Sequence, residues 1–225
     1  MDKTTRTPRL IHLADYGGPY PGSLIPMLSA VFQAARLREW SVTAVFGAEA
    51  SGHSWVSELS TAGIDVRFIE LAGTRSIVKR ISILLDEDPR PTVVHTHFSS
   101  FDIPVALAVI GRPHTVLFWH AHSPLHTGRW RSLRNTARFA IGARPVAGVL
   151  CVSPDIARAV RDRGCPTEKV ILFPNAIDAE RFPLISPEER RSARARARSA
   201  PGAGPNRTFR TSSRPRRSPT TRRSR

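Results

Sequence analysis

Seven short, nearly uniform apolar runs alternate with segments of helical period, and this alternation confines the chain to an α/β fold. Strands are expected at Arg9–Ala14, Val42–Phe46, Val66–Ile69, Thr92–His95, Val116–Trp119, Gly148–Val152 and Val170–Phe173. Between the first two, Leu24, Met27, Leu28, Val31, Phe32 and Ala35 share one face of a helix that starts near Ser23, with Pro26 tolerated in its first turn. Trp55–Ala62 reads as a helix closed by Gly63. Ile77–Leu85, Pro104–Ile110 and the basic segment Arg129–Arg144 read as further helices. Ser153-Pro154-Asp155 opens another that runs to about Arg163: serine caps, proline takes the first helical position and aspartate meets the positive end. Strands apolar on both sides imply a parallel sheet with helices on both faces, a Rossmann-like arrangement. No internal repeat is present.

Composition changes near Glu189. Residues 1–189 carry all 18 acidic side chains and 21 of the 34 basic ones, whereas residues 190–225 carry 13 arginines and no Asp, Glu or Lys. That tail has one aromatic, Phe209, and no Leu, Ile, Val or Met, too little apolar surface to offset the entropy of ordering it. The expected organisation is a disordered N-terminus at 1–8, one domain at 9–183 and a disordered Arg/Pro/Ser-rich tail at 184–225. The tail's Arg, Ala, Pro, Ser, Thr and Gly are what a GC-rich gene yields out of frame. The expectation is therefore a frameshift or truncation after about residue 189, which requires an intact downstream frame encoding a second α/β domain. An exposed arginine run also binds nucleic acid or acidic surfaces non-specifically, and a basic-tailed nucleic-acid module is the alternative reading. The balanced charge of the domain speaks against specific nucleic-acid recognition.

Cys151 and Cys165 lack metal or redox spacing and read as reduced, partly buried thiols. Met1-Asp2-Lys3-Thr4 leads into the first strand without a secretory apolar region, and no run approaches the length of a membrane span. The expected location is cytoplasmic, with the inner face of the membrane as a peripheral site.

In parallel sheets of this kind, ligands bind outside the carboxyl ends of the strands. Those ends carry Asp15-Tyr16-Gly17-Gly18, His95-Thr96-His97-Phe98-Ser99, His120-Ala121-His122-Ser123, Ser153-Pro154-Asp155 and Pro174-Asn175. Gly17 and Gly18 allow backbone amides to approach an anionic or polyhydroxy ligand at a helix N-terminus, although a tight turn explains two glycines equally well. Gly17, Gly18 and Gly22 do not have dinucleotide-fingerprint spacing, and no cofactor is expected. At strand period, His95/His97 and His120/His122 each set two imidazoles on one side. A hydrolytic metal site would also need carboxylates, and Asp102 is the nearest, so no metal is assigned. The plainer reading is histidines hydrogen-bonded to backbone at strand ends. His12, His53, His114 and His126 receive no role.

Val170-Ile171-Leu172-Phe173-Pro174-Asn175-Ala176-Ile177-Asp178, with Phe182 nearby, resembles the V-x-x-x-P-N-G-I-D…F segment of the family 4 glycosyltransferases. Val93-Val94-His95-Thr96-His97-Phe98, Phe118-Trp119-His120-Ala121-His122-Ser123 and Val149-Leu150-Cys151-Val152-Ser153 resemble further segments of that family in the same order, over residues 9–183. Ala176 departs from the usual glycine, a change that costs on the order of 1 kcal/mol if positive φ is needed there.

The resemblance implies the N-terminal, acceptor-side half of a two-domain GT-B architecture and retaining transfer from a nucleotide-sugar donor. A histidine after the fifth strand would contact the transferred sugar, and His120 and His122 both remain candidates. Gly17, Gly18, His95, His97, Ser99 and Asn175 are the implied substrate-binding residues. The implied partners are the nucleotide sugar, a glycan, lipid-linked or small-molecule acceptor, and a second domain or chain that grips the donor. The family's donor-gripping E-x7-E element is not recognised; Glu180 and Glu188 enclose Pro183 and Pro187 and read as coincidence. Without a donor domain, transfer would be poor or absent. Arg129, Arg131 and Arg134 suit an anionic acceptor, a membrane surface or simply solvent.

Overall fold

The computed structural model describes residues 7–125, 128–175 and 185–199. The chain divides between residues 177 and 178 into two units. The first holds β1 (Arg9–Ala14), α1 (Leu24–Arg36), β2 (Ser41–Gly47), α2 (Ser54–Thr61), β3 (Asp65–Ile69), α3 (Thr74–Asp86) and β4 (Thr92–His97). It continues with α4 (Ser99–Val109), β5 (Thr115–Ala121), α5 (Arg129–Ala137), β6 (Gly148–Cys151), α6 (Pro154–Arg161) and β7 (Val170–Leu172). The strands form one sheet in the order β3-β2-β1-β4-β5-β6-β7, every neighbouring pair parallel.

Side chains alternate between the two faces of a strand, so each strand feeds two cores. Ile11, Leu13, Val45, Val94, Leu117 and Trp119 pack with Ile77 and Ile81 of α3, Phe101 and Val105 of α4, and Ile156 and Val160 of α6. On the opposite face, Leu10, Ala14, Ala44 and Phe46 pack with Leu28 and Phe32 of α1 and Trp55 and Leu59 of α2. His12, one residue from Ile11 and Leu13, shares this second face and is buried.

Several boundaries differ from the sequence reading. β4 and β5 run two residues further than expected, through His97 and Ala121, because parallel pairing to β1 and β6 continues that far. His95, His97 and His120 therefore lie inside strands rather than after them. α4 starts at Ser99, ahead of Pro104, so the proline sits inside the helix without a backbone donor; burial of Phe101 and Asp102 in that first turn holds the earlier start. Arg129–Arg144 is not one helix: α5 ends at Ala137 and a π-helical turn, Arg138–Gly142, delivers Phe139 to the core. Gly63 has φ +79°, the left-handed conformation its helix-stopping position requires.

The second unit contains α7 (Pro187–Ser199), a stretch for which the sequence reading expected no order. Its start is a reciprocal capping box: Ser186 N–H donates to Glu189 Oε2 at 2.7 Å and Glu189 N–H donates to Ser186 Oγ at 3.1 Å. Alanine and arginine are both strong helix formers, so local propensity accounts for this helix without an apolar face. Among the described residues no helix is long and apolar enough to cross a membrane. Both cysteines are free and buried, and burial pushes the Cys151 thiol up to about 11.

The glycine loop after β1 is tied into the domain by its carbonyls. Trp55 Nε1–H donates to the Gly18 carbonyl at 3.0 Å, and His53 Nε2 contacts the Gly17 carbonyl at 3.0 Å, which assigns the proton of His53 to that nitrogen. Trp55 is fully buried against Phe46. Trp55→Phe keeps most of this packing and deletes one hydrogen bond. It should lower unfolding stability by about 1 kcal/mol in urea titrations and speed amide exchange at Gly17 and Gly18 selectively.

Candidate functional site

The strand order reverses between β1 and β4, and at such a switch point the loops leaving neighbouring strands diverge and open a crevice. A pocket of about 330 Å³ lies there, lined by Tyr16 and Gly22 after β1, Phe98 after β4, His122 and Ser123 after β5 and Asn175 after β7. A second, of about 200 Å³, shares Phe98, His122 and Ser123 and adds Ser99, Asn135 and Arg138. Gly17 and Gly18 lie between Tyr16 and Gly22 in the loop that forms one wall. Phe98 holds φ +67°, a strained conformation for a non-glycine residue. Its ring lies 5.1 Å from that of His122 and 6.4 Å from that of Tyr16.

Behind this crevice the sheet carries a layer of imidazoles. In the ladder His12 pairs with His95 and His97 pairs with His120, so the four side chains project from one face of three adjacent strands. His122 follows immediately beyond β5. His12 Nδ1 lies 2.7 Å from His97 Nε2, and His97 Nδ1 lies 2.8 Å from His122 Nε2. The rings of these two pairs are only 20° and 27° from parallel, with centroids 5.0 and 5.1 Å apart, as edge-to-edge hydrogen bonds require. His120 instead stacks on His122, centroids 3.9 Å apart. His122 is partly exposed and lines both pockets, whereas His120 is 1% exposed and lines only the second. At His97 and His122 bonds between rings stand in place of the expected backbone hydrogen bonds, and His120 makes neither kind.

Burial removes charge from the whole layer. It drives His12 and His97 well below the ordinary imidazole value and lowers His95 to about 3, His120 to about 2 and His122 to about 4. All five are neutral at physiological pH. His12 Nε2, His95 Nε2 and both nitrogens of His120 are buried without a hydrogen-bond partner.

The nitrogens of His12, His95 and His97, and those of His97, His120 and His122, come within 4.8 Å of one another. A shared ion needs lone pairs that converge in the ring planes. Here both nitrogens of His97 are engaged by neighbouring imidazoles, and His120 meets His122 face to face. Metal binding would have to break the existing bonds. Asp102, the carboxylate nearest in sequence, does not converge on the layer. It accepts from Thr96 Oγ1 and pairs with Arg138, and burial raises its pKa against the pull of that arginine.

Ser99 lines the second pocket and Asn175 the first. Ala176, Asp178, Phe182, Glu180 and His126 lie outside the described residues. His12 and Arg138 belong to none of the strand-end segments, whereas Tyr16 and Phe98 do. The signal for His12 is its position on a strand that neighbours the H-x-H strand, which is visible only once strand order is known.

The lowered imidazoles make acid the weak side of this fold. The unfolded chain takes up protons near the ordinary value of 6.5, the folded one only well below it. Stability is therefore complete above that value and is lost as pH falls from it toward the folded values. Each such group tilts stability by up to ~1.4 kcal/mol per pH unit. The urea midpoint should fall steeply between about pH 7 and about pH 5, above the range where carboxylates titrate, and His12→Phe should make the slope shallower. A flat midpoint over that range would contradict the burial of these rings.

The fold matches several solved structures. Anabaena Alr3699/HepE in complex with UDP-glucose superposes with a TM-score of 0.61 at 16% identity, covering 84% of this chain and 49% of that one. The lipopolysaccharide outer core galactosyltransferase WaaB, in its apo form, gives 0.56 at 12% identity, covering 76% and 46%. The S. aureus MnaA–UDP co-structure gives 0.53 at 14% identity, covering 82% and 51%. The chain thus spans about half the length of these structures, as an N-terminal half of a two-domain GT-B glycosyltransferase does. No curated protein matches the sequence. The model of Glycosyltransferase Family 4 matches residues 66–181, more than half of the 225-residue chain, and the chain belongs to that family.

Proposed function

We propose that this domain holds the acceptor for a retaining transfer of sugar from a nucleotide-sugar donor, and that it works against a second domain or chain that grips the donor. The observation that carries this is the crevice at the switch point, where Tyr16, His122, Ser123 and Asn175 meet beside the Gly17-Gly18 loop. UDP-glucose and UDP in the similar structures support a nucleotide-sugar donor.

The chemistry follows from charge. As the bond from the anomeric carbon to the leaving diphosphate breaks, negative charge grows on the departing oxygen. The acceptor oxygen bonds to the same face of the sugar, and its proton passes to that departing oxygen. The amides of Gly17 and Gly18 and the positive end of α1 would stabilise the diphosphate without a metal. His122, neutral at working pH, would hydrogen-bond the transferred sugar rather than act as an acid. His95, His97 and His120 lie behind it and would shape the pocket floor. Ser99 and Asn175 would bind hydroxyls at either side.

The test pairs binding with transfer. Adding glycan, lipid-linked and small-molecule acceptors should shift amide resonances of Tyr16, Phe98, His122 and Ser123, with labelled nucleotide sugar transferred at least about a hundredfold faster once a donor-binding domain is supplied. Vigorous turnover by the 225-residue chain alone would refute the need for a partner. Shifts confined to the pocket at Ser29, Phe32 and Ile64, remote from the crevice, would refute the site.

α5 favours a lipid-linked acceptor at an anionic membrane surface. It displays Trp130 at 79% and Leu133 at 60% exposure beside Arg129, Arg131 and Arg134, an apolar tip ringed by positive charge. Vesicles of anionic phospholipid with brominated acyl chains should quench tryptophan emission in the wild type and far less in Trp130→Phe. Equal quenching in the two would remove α5 from the membrane.

A further inference from the structure

Arg138 reaches the second pocket as a guanidinium held in place before any ligand arrives. Its Nη2–H donates to the Asp102 carboxylate, and its Cζ lies 4.6 Å from the centroid of the Phe139 ring and 5.6 Å from that of Trp119. The Arg138 side chain is 12% exposed and that of Asp102 1%. Asp102 also accepts from Thr96 Oγ1, which fixes the carboxylate from the β4 side. The turn that delivers Arg138 lies directly against α4, where a Cβ at Gly142 would collide with Ile103. That π-helical turn begins at Arg138 itself, and such turns gather at functional sites.

A guanidinium carries five N–H donors in a rigid fork. Among the described residues, Asp102 is the one hydrogen-bond partner of this fork. Nε is buried without a partner, whereas Nη1 is unbonded and not buried, at the pocket that Ser99, His122, Ser123 and Asn135 also line. No carboxylate lines that pocket, so the protein sets no anion opposite Nη1. A buried ion pair is weak support for a fold, because apolar residues of similar volume serve stability as well. What the pair presents to the pocket accounts for it better. We infer that Arg138 is a further ligand-binding residue of the crevice: Nη1–H donates to an oxygen lone pair of the acceptor, on a sugar hydroxyl or on an anionic substituent. Asp102 is the positioning residue that aims the fork. This rests on the reading of the crevice as an acceptor site for the identity of the ligand, but not for the geometry of the donor.

Titrating the full chain with methyl glucoside, methyl glucuronide and inorganic phosphate, followed in proton–nitrogen spectra of labelled arginine and backbone amides, reads binding without any assay of transfer. The Nε–H of Arg138, shielded from water, gives a persistent peak that is identified by its loss in Arg138→Lys. The expected result is a saturable shift of that peak together with the amides of Ser99, His122 and Ser123. A response to methyl glucoside assigns the contact to a hydroxyl oxygen. A response to the glucuronide or phosphate alone assigns it to an anionic oxygen. Arg138→Lys keeps the charge but lacks the fork that serves Asp102 and a ligand at once, so the dissociation constant read from the crevice amides should rise about tenfold. Asp102→Asn should also weaken binding while Arg138 stays in place; a purely structural pair would not do this, because affinity is read on the folded population. Crevice amides that move while the Arg138 peak stays still overturn the inference and leave the acceptor reading standing. An Arg138→Lys variant that folds and binds with wild-type affinity overturns it too. Crevice amides that respond to none of these probes overturn both readings. If neither variant folds, the wild-type titration alone decides.

Discussion

The pairing of β1 with β4 is the constraint on which the rest of this domain depends. Six consecutive residues of each strand, Arg9–Ala14 and Thr92–His97, run side by side although 77 residues lie between Ala14 and Thr92 in sequence. That ladder brings His12 beside His95 and Ala14 beside His97. It also marks where the sheet changes direction of growth, so the loops after β1 and β4 diverge and leave a crevice between Tyr16 and Phe98. A register slip of one residue would turn His12 to the opposite face, among Ile11 and Leu13's present neighbours, and dismantle both the imidazole file and the pocket floor.

The face that looks toward α1 holds imidazoles where an ordinary doubly covered sheet holds Val and Ile. Burying these rings is tolerable because none is charged and because three of them satisfy one another. The arrangement is still incomplete at His12, His95 and His120, whose ring nitrogens remain partly or wholly unpaired. Phe98 adds backbone strain at the rim.

Much of the architecture could be read before folding. The apolar runs located every strand within two residues at the ends that matter, and Ser153-Pro154 announced the start of α6, where Ser153 Oγ accepts from Ile156 N–H at 3.3 Å. Gly63 stopped α2 as its position suggested. α4 was misplaced because proline is most comfortable in a first turn, while the core's demand for Phe101 set the actual start. α7 has no apolar face to announce it, and its signal is the purely local Ser186–Glu189 box. The strand-end positions of Ser99 and Asn175 put them beside the pockets. The separation of His122 from His120 was not legible in the sequence, because both stand at the same spacing and only the packing of His120 beneath its neighbour tells them apart.

Local sequence alone determined the alternation of strands and helices, the parallel sheet, and the rim of polar and glycine residues at its carboxyl edge, because hydrophobic period and turn chemistry act over a few residues at a time. The tertiary structure alone decided which strands became neighbours, and through that which histidines touch, which one lines both pockets and where Arg138 and Asp102 spend their charge. Those outcomes depend on contacts between residues far apart in the chain, and no periodicity within a segment encodes them.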